Sequence, residues 1–268
     1  MKRIGWIGAG NMGGAILSGV LKQGLLAPQD VIVCAKTEAT LNKLSAAHAG
    51  ITVTTDAMRA ADESSLLLLA VKPQVLGEVL KQLHGHLRGK AVLSIAAGWT
   101  MEMLQNALAG EGATILRVMP NTPCLVGEAM TAICSETTFS DADVAFAKQI
   151  FGAVGRIAVV PEKQFDGVIA VSGSSPAYVY MLIEAMGDAA VREGIPRKQA
   201  YEMAAQSVLG SAKMVLETGT HPAALKDAVC SPAGTTIDAV AALEKDGFRA
   251  AVLDAMHVCA EKSRSMAK

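Results

Sequence analysis

Lys2-Arg-Ile-Gly-Trp-Ile-Gly8-Ala9-Gly10-Asn11-Met12-Gly13-Gly14 stands near the head of the chain, and the rest of the sequence is read outward from it. Residues 2–8 form the short apolar run of a buried strand, and Ala15-Ile-Leu-Ser-Gly-Val-Leu21 has helical periodicity. Between strand and helix, Gly8 makes the tight turn, Gly10 lets a pyrophosphate approach the backbone, and Gly13 lets the helix pack on the strand. Asn11 and Met12 lie between these glycines and are counted with the dinucleotide-binding residues. A tight strand–helix turn with no ligand would use the same glycines. Their place between a strand and a helix favours the dinucleotide.

Val31-Ile-Val-Cys34 is the second strand. An NAD site expects an acidic residue about 20 residues beyond the glycines, to bind the ribose 2′-hydroxyl. Here the strand runs into Ala35-Lys36-Thr37 with no carboxylate. A lysine and a hydroxyl suit a 2′-phosphate, so NADP is the expected cofactor, with NADPH preferred and NADH usable. A solvated loop lysine at position 36 is the competing account.

Strands then alternate with helices: helix 40–49, strand 51–53, a helix capped by Asp56, strand 66–71, helix 74–87, strand 91–95, a helix from Met101, strand 114–118, and strands 129–134 and 156–160 around a helix at 141–152. This is the pattern of a doubly wound, mainly parallel Rossmann-type sheet, with ligands beyond the carboxyl ends of the strands. After Pro161 the alternation stops. Residues 162–171, 176–193, 197–217, 222–229, 235–245 and 247–265 all read as helices. The expected organisation is α/β: a dinucleotide-binding domain over 1–160, then an all-helical dimerisation and substrate domain over 161–268. The helix from Pro176 is apolar nearly all round, which predicts burial against a second subunit.

Within the helical half, Leu225-Lys-Asp-Ala-Val-Cys-Ser231-Pro-Ala-Gly234-Thr235-Thr236-Ile237 has a small, polar centre flanked by helical patterns. Pro232 ends the first helix, Gly234 supplies backbone angles barred to other residues, and Thr235 caps the second helix. The free N–H groups of such a helix start suit a small carboxylate or phosphate. An ordinary helix–helix connection would look the same.

Composition narrows the class. Hydrophobic residues make up 51% of the 268 and aromatics 4%, so the core is aliphatic. A net charge of −1 gives no attraction for nucleic acid or an anionic membrane. The run Leu66–Val71 is too short to span a bilayer. Five scattered cysteines without a Cys-x-x-Cys pair read as reduced thiols of a cytoplasmic protein, and no signal peptide is expected before the first strand. No metal site is expected from the five histidines; His84 and His86 read as solvated imidazoles at a helix end.

Hydride chemistry asks the protein for orientation and charge stabilisation, because the cofactor carries the reaction. Hydroxyacid dehydrogenases of this two-domain plan place a lysine on the first long helix of the second domain. No lysine occurs here from Gln164 to Arg197. A C=N substrate protonated as an iminium needs no such acid.

The glycine run at 8–13, Ala70-Val-Lys-Pro73, Met119-Pro-Asn-Thr-Pro123, Ser172-Gly-Ser-Ser-Pro-Ala-Tyr178 and, above all, Leu225–Ile237 resemble the pyrroline-5-carboxylate reductases over essentially the whole chain. Ser175 and Ala233 stand where that family often has glycine. The resemblance implies reduction of L-1-pyrroline-5-carboxylate to L-proline with NAD(P)H, the last step of proline biosynthesis. It also implies a homodimer, often assembled into rings, whose partner helices complete each site. Ser231, Gly234, Thr235 and Thr236 would then hold the substrate carboxylate and ring nitrogen, with Thr236 as the catalytic contact. Val71, Lys72, Pro73, Ala97 and Asn121 would line the nicotinamide end. A reductase of another cyclic imine, or a non-catalytic NADP sensor, would share most of these features.

Overall fold

A computed structural model describes residues 3–266; Lys2, placed by sequence in the first strand, lies outside that range. Two compact units emerge. The first comprises residues up to Gly173 together with those from Cys259 onward, and the second runs from Ser174 to Val258.

The first unit is built on an eight-stranded sheet of order β3-β2-β1-β4-β5-β6-β7-β8. The strands are β1 (Ile4–Ile7), β2 (Val31–Cys34), β3 (Thr52–Thr54), β4 (Leu66–Leu69), β5 (Ala91–Ser94), β6 (Thr114–Met119), β7 (Ala129–Cys134) and β8 (Gly155–Val160). All neighbours are parallel except β6 and β7, which are joined by a short 3₁₀ turn, Thr122–Val126, and run antiparallel. Strands β1, β2, β4 and β5 are buried along their whole length, as expected of a sheet covered on both faces. Helices α1 (Asn11–Lys22), α2 (Glu38–Ala47), α3 (Ala57–Asp62), α4 (Pro73–Gln82), α5 (Met101–Ala107) and α6 (Asp141–Gly152) alternate with them. Several helix starts follow local chemistry: Asp56 accepts from the N–H groups of Met58 and Arg59, Thr100 caps α5 and Ser140 caps α6. Helix α4 ends at Gln82, earlier than the apolar pattern predicts, and Gly85 takes a positive φ of 85° in the turn that follows. His86 pairs with Asp62 at 2.8 Å, and His84 lies 3.5 Å from Glu111, so each imidazole has a carboxylate partner as well as solvent.

The compact unit extends past the boundary expected at 160. Residues 162–171 form no single helix but a 3₁₀ turn (Glu162–Gln164), α7 (Phe165–Val168) and a π turn (Ile169–Gly173). This segment is welded to the sheet. Phe165 is buried, the Arg117 guanidinium stacks over its ring at 4.2 Å, and Arg117 is ion-paired with Glu162. Glu162 also accepts from the Met101 N–H at 3.0 Å. The end of the last helix, α12 (Phe248–Met266), belongs to the same unit, and Ser263 donates to Asp166 at 2.5 Å.

The second unit holds α8 (Ser175–Arg192), α9 (Arg197–Thr218), α10 (Pro222–Val229), α11 (Thr235–Lys245) and the start of α12. Helices α8 and α9 approach closely at Gly187, where an added Cβ would sit 2.5 Å from the Tyr201 ring. Within one chain most of α8 is uncovered; Met181 is 68% exposed and Tyr180 61%. By length and composition the run Glu162–Arg192 could cross a membrane, its most apolar 18-residue window having a mean hydropathy of 1.2.

Candidate active site

A cleft of about 970 Å³ opens at the carboxyl ends of the first unit's strands, and the glycine-rich turn forms its floor. Gly8 has φ +98°, and a Cβ there would lie 2.6 Å from the Ala70 carbonyl oxygen, so only glycine fits. Gly10 is the N-cap of α1 and offers no capping side chain, and nothing lies within 4 Å of where its Cβ would be. Helix α1 thus begins uncapped beside open space, an arrangement that suits a phosphate. Gly13 does not line the cleft. It is buried against Ala70 Cβ, 2.8 Å from its own missing Cβ, and it seats the helix on the sheet. The cradle has room for a pyrophosphate, with Gly8 in the tight turn and Gly13 in the helix–strand contact.

Lys36 and Thr37 line one flank with Thr40. Thr37 caps α2 through the Thr40 N–H (3.4 Å), and the two hydroxyls lie 2.9 Å apart. Thr40 was missed by the sequence reading, although its spacing of three residues from Thr37 places both on one helical face. Asn11, Met12, Val71, Lys72, Pro73 and Ala97 line the cleft, as do Met119, Pro120 and Thr122. Pro73 opens α4, and its carbonyl accepts from Trp99 Nε1 at 3.0 Å. Two buried thiols also reach the wall. Cys124, 3.4 Å from Met12 Sδ, is pushed up to about 11 by burial; Cys34 is raised by burial and then by Asp56. Neither thiol is set up as a nucleophile.

Asn121 departs from expectation. Its side chain is buried and turned away from the cleft: Nδ2 donates to the Ser172 carbonyl (3.0 Å), and Oδ1 accepts from the Met130 N–H (2.9 Å). With two backbone partners it is a strut, not part of the lining.

In the second unit, the loop between α10 and α11 corrects two sequence assignments. Thr235 is not the cap of α11 but its first residue; the N-cap is Gly234, with no side-chain cap. Nor does Gly234 supply the unusual backbone. Its φ is −84°, and the left-handed residue is Ala233, at φ +52° the one non-glycine with positive φ among the described residues. Gly234 is needed instead for space. A Cβ there would lie closer than 3.0 Å to Ser231 Oγ and 3.1 Å from the Ser231 carbonyl oxygen. The Gly234 N–H donates to that oxygen at 3.1 Å, closing a tight turn. Ser231 is thereby folded back beside the uncapped start of α11, on which Thr236 is the second residue. Asp238 is the nearest acid on the helix; at 3.6 residues per turn it points about 200° away from Thr236.

Comparison with known proteins decides the family. Residues 162–266 match the family described as "Pyrroline-5-carboxylate reductase dimerisation", and residues 3–98 match "NADP oxidoreductase coenzyme F420-dependent". The pyrroline-5-carboxylate reductase of Escherichia coli (strain K12) is 48% identical over 100% of this chain and 99% of its own length. The chain belongs to the pyrroline-5-carboxylate reductase family. Two solved relatives have the same fold from end to end. That of Coxiella burnetii has a TM-score of 0.91 at 31% identity, covering 100% of this chain and 99% of the relative. That of Plasmodium falciparum, solved with NADP bound, has a TM-score of 0.88 at 31% identity, covering 100% and 98%. As a pyrroline-5-carboxylate reductase, this protein is an NAD(P)H-dependent oxidoreductase that reduces pyrroline-5-carboxylate to proline. A pyrroline-5-carboxylate reductase dimerisation domain makes it an oligomer.

Proposed function

We propose that this reductase prefers NADPH, works as a cytoplasmic homodimer able to build larger rings, and holds its substrate at the start of α11. Residues 1–160 take the dinucleotide, and 161–268 provide dimerisation and substrate contacts. Within the apolar run 162–192, α8 serves the dimer face and not a bilayer, while the 3₁₀, α and π pieces that precede it pack on the sheet. Five free cysteines support a reducing compartment.

One observation carries the substrate assignment: α11 begins on a glycine with no side-chain cap, beside a serine held back by a tight turn. The N–H groups of the first turn and the Ser231 hydroxyl then meet the substrate carboxylate, in a helix dipole that favours negative charge. Thr236 Oγ1 accepts from the N–H of the protonated ring and, once the nitrogen has gained the C=N electron pair, can donate to it instead. No acid is required, because the proton is already on the nitrogen. NADPH, when bound, supplies the hydride that forms the new C–H bond. Gly8, Gly10, Asn11 and Met12 hold its pyrophosphate; Lys36, Thr37 and Thr40 hold its 2′-phosphate. Val71–Pro73, Ala97 and the Met119–Pro120 wall enclose its nicotinamide.

The test is Thr236→Ala against Thr236→Ser. Losing a hydrogen bond to a charged group costs about 1.5–3 kcal/mol, so Thr236→Ala lowers kcat/KM about 10- to 150-fold and Thr236→Ser restores much of it. Wild-type kinetics in a Thr236→Ala enzyme with a lowered melting temperature would make Thr236 a purely structural residue.

A further inference from the structure

Asn121 joins three segments that are separate in sequence: the turn after β6, the start of β7 at Met130, and the π turn Ile169–Gly173. The reason lies in the covalent structure of the third. A helical carbonyl is normally served by the N–H four residues on. Four residues beyond Ser172 stands Pro176, which has no N–H. The next N–H, that of Ala177, donates to the Ser174 carbonyl at 3.1 Å. The buried Ser172 oxygen is left to an outside donor, and Asn121 Nδ2 takes that place at 3.0 Å. A buried carbonyl without a partner is costly, so this bond is strongly held.

The neighbours of Asn121 face the other way. Met119, Pro120 and Thr122 line the cofactor cleft, while Asn121, 8% exposed, does not. Met119 also packs on the π turn, its Cε 3.2 Å from where a Cβ on Gly173 would lie. A displacement of the Ser172 carbonyl would thus reach the cleft wall through one amide and one side-chain contact. π turns recur at functional sites, and here the turn provides an anchor for that wall.

We propose that Asn121 is a positioning residue for hydride transfer: it touches neither cofactor nor substrate, and it fixes the Met119–Pro120 wall to the carbonyl that Pro176 leaves unserved. The proposal rests on the nicotinamide lying at that wall, as assigned above.

The experiment is a double-mutant cycle between positions 121 and 176. Asn121→Asp keeps an acceptor for Met130 but, ionised, has no hydrogen for Ser172. It lowers kcat/KM about tenfold, mainly through kcat, with the Kd for NADPH changed less than about threefold. Pro176→Ala returns an N–H four residues beyond Ser172, so in that background Asn121→Asp costs less than about threefold. If Asn121→Asp does not fold, Asn121→Ala replaces it in the same cycle. An equal loss in both backgrounds overturns the proposal, since Asn121 would then act independently of the Ser172 carbonyl. A lowered melting temperature with unchanged kcat/KM also overturns it. Binding of 2′,5′-ADP, which lacks the nicotinamide, separates the underlying assignment. It is unchanged if the wall is where proposed; weakening equal to that of NADPH would remove the nicotinamide from that wall, and the proposal with it.

Discussion

Replacing Gly234 by alanine should disable one hydroxyl while leaving the fold intact. The backbone at 234 (φ −84°, ψ 166°) is open to any residue, so the change adds no torsional strain. The new Cβ would come within 3.0 Å of Ser231 Oγ and 3.1 Å from the Ser231 carbonyl oxygen, so the turn must also give by a few tenths of an ångström, while Ser231 Cβ at 3.5 Å is an ordinary contact. The cheapest response is rotation of the serine hydroxyl out of the turn. Alanine is a poorer N-cap than glycine by about 1 kcal/mol, and the loss of glycine's freedom in the unfolded chain offsets about 0.4–1 kcal/mol of that. Stability should therefore fall by less than about 1 kcal/mol. Catalysis should suffer far more, because a hydrogen bond to a charged carboxylate is worth about 1.5–3 kcal/mol, or about 10- to 150-fold in KM for pyrroline-5-carboxylate. Steady-state assays on Gly234→Ala, Ser231→Ala and the double variant supply the check. If Gly234 acts by aiming Ser231, the double variant resembles either single one. Multiplying losses, or an unchanged KM with a large fall in melting temperature, would refute this account.

Three further outcomes follow from the same geometry. Lys36→Asp should raise the KM for NADPH about tenfold while leaving that for NADH nearly unchanged; equal effects would dismiss Lys36 as a phosphate ligand. Ala233→Gly relieves a left-handed alanine worth about 1–2 kcal/mol against about 0.4–1 kcal/mol of added unfolded-state entropy, a net of about 0.8 kcal/mol at mid-range, so calorimetry should show a melting temperature higher by about 2–3 °C. Sedimentation at micromolar concentration should show a dimer or larger species, because α8 exposes Tyr180 and Met181 to an interface of core-like composition; a stable, active monomer would refute it.

Where a residue's task is local, sequence is enough. Gly8, Gly10 and Gly13 act within a single strand–turn–helix unit, and their spacing alone assigns a tight turn, an open approach and a close packing contact. The alternation of apolar strands with helices likewise fixes the class of sheet, because periodicity follows from backbone geometry. The place of Lys36 and Thr37 in the cleft lining was legible for the same reason: they follow β2 directly.

Other roles depend on what lies across the fold. Nothing near position 121 reveals that its partners are a carbonyl 51 residues away and an N–H nine residues away. In the substrate loop, the presence of a glycine suggested left-handed backbone, but chain path and the fold of Ser231 put that conformation on Ala233 and gave Gly234 a steric task. The boundary expected at 160 was read from the end of alternation. Tertiary packing carried the compact unit on to Gly173, because buried Phe165 and the Arg117–Glu162 pair hold those turns to the sheet. By itself, then, the sequence determined the glycine-rich strand–helix turn and the α/β class, both of which rest on contacts between near neighbours in the chain. Tertiary structure alone decided which backbone is strained, which side chains face the cleft and which serve as struts, because those depend on distant groups that must be hydrogen-bonded or given space once they are buried.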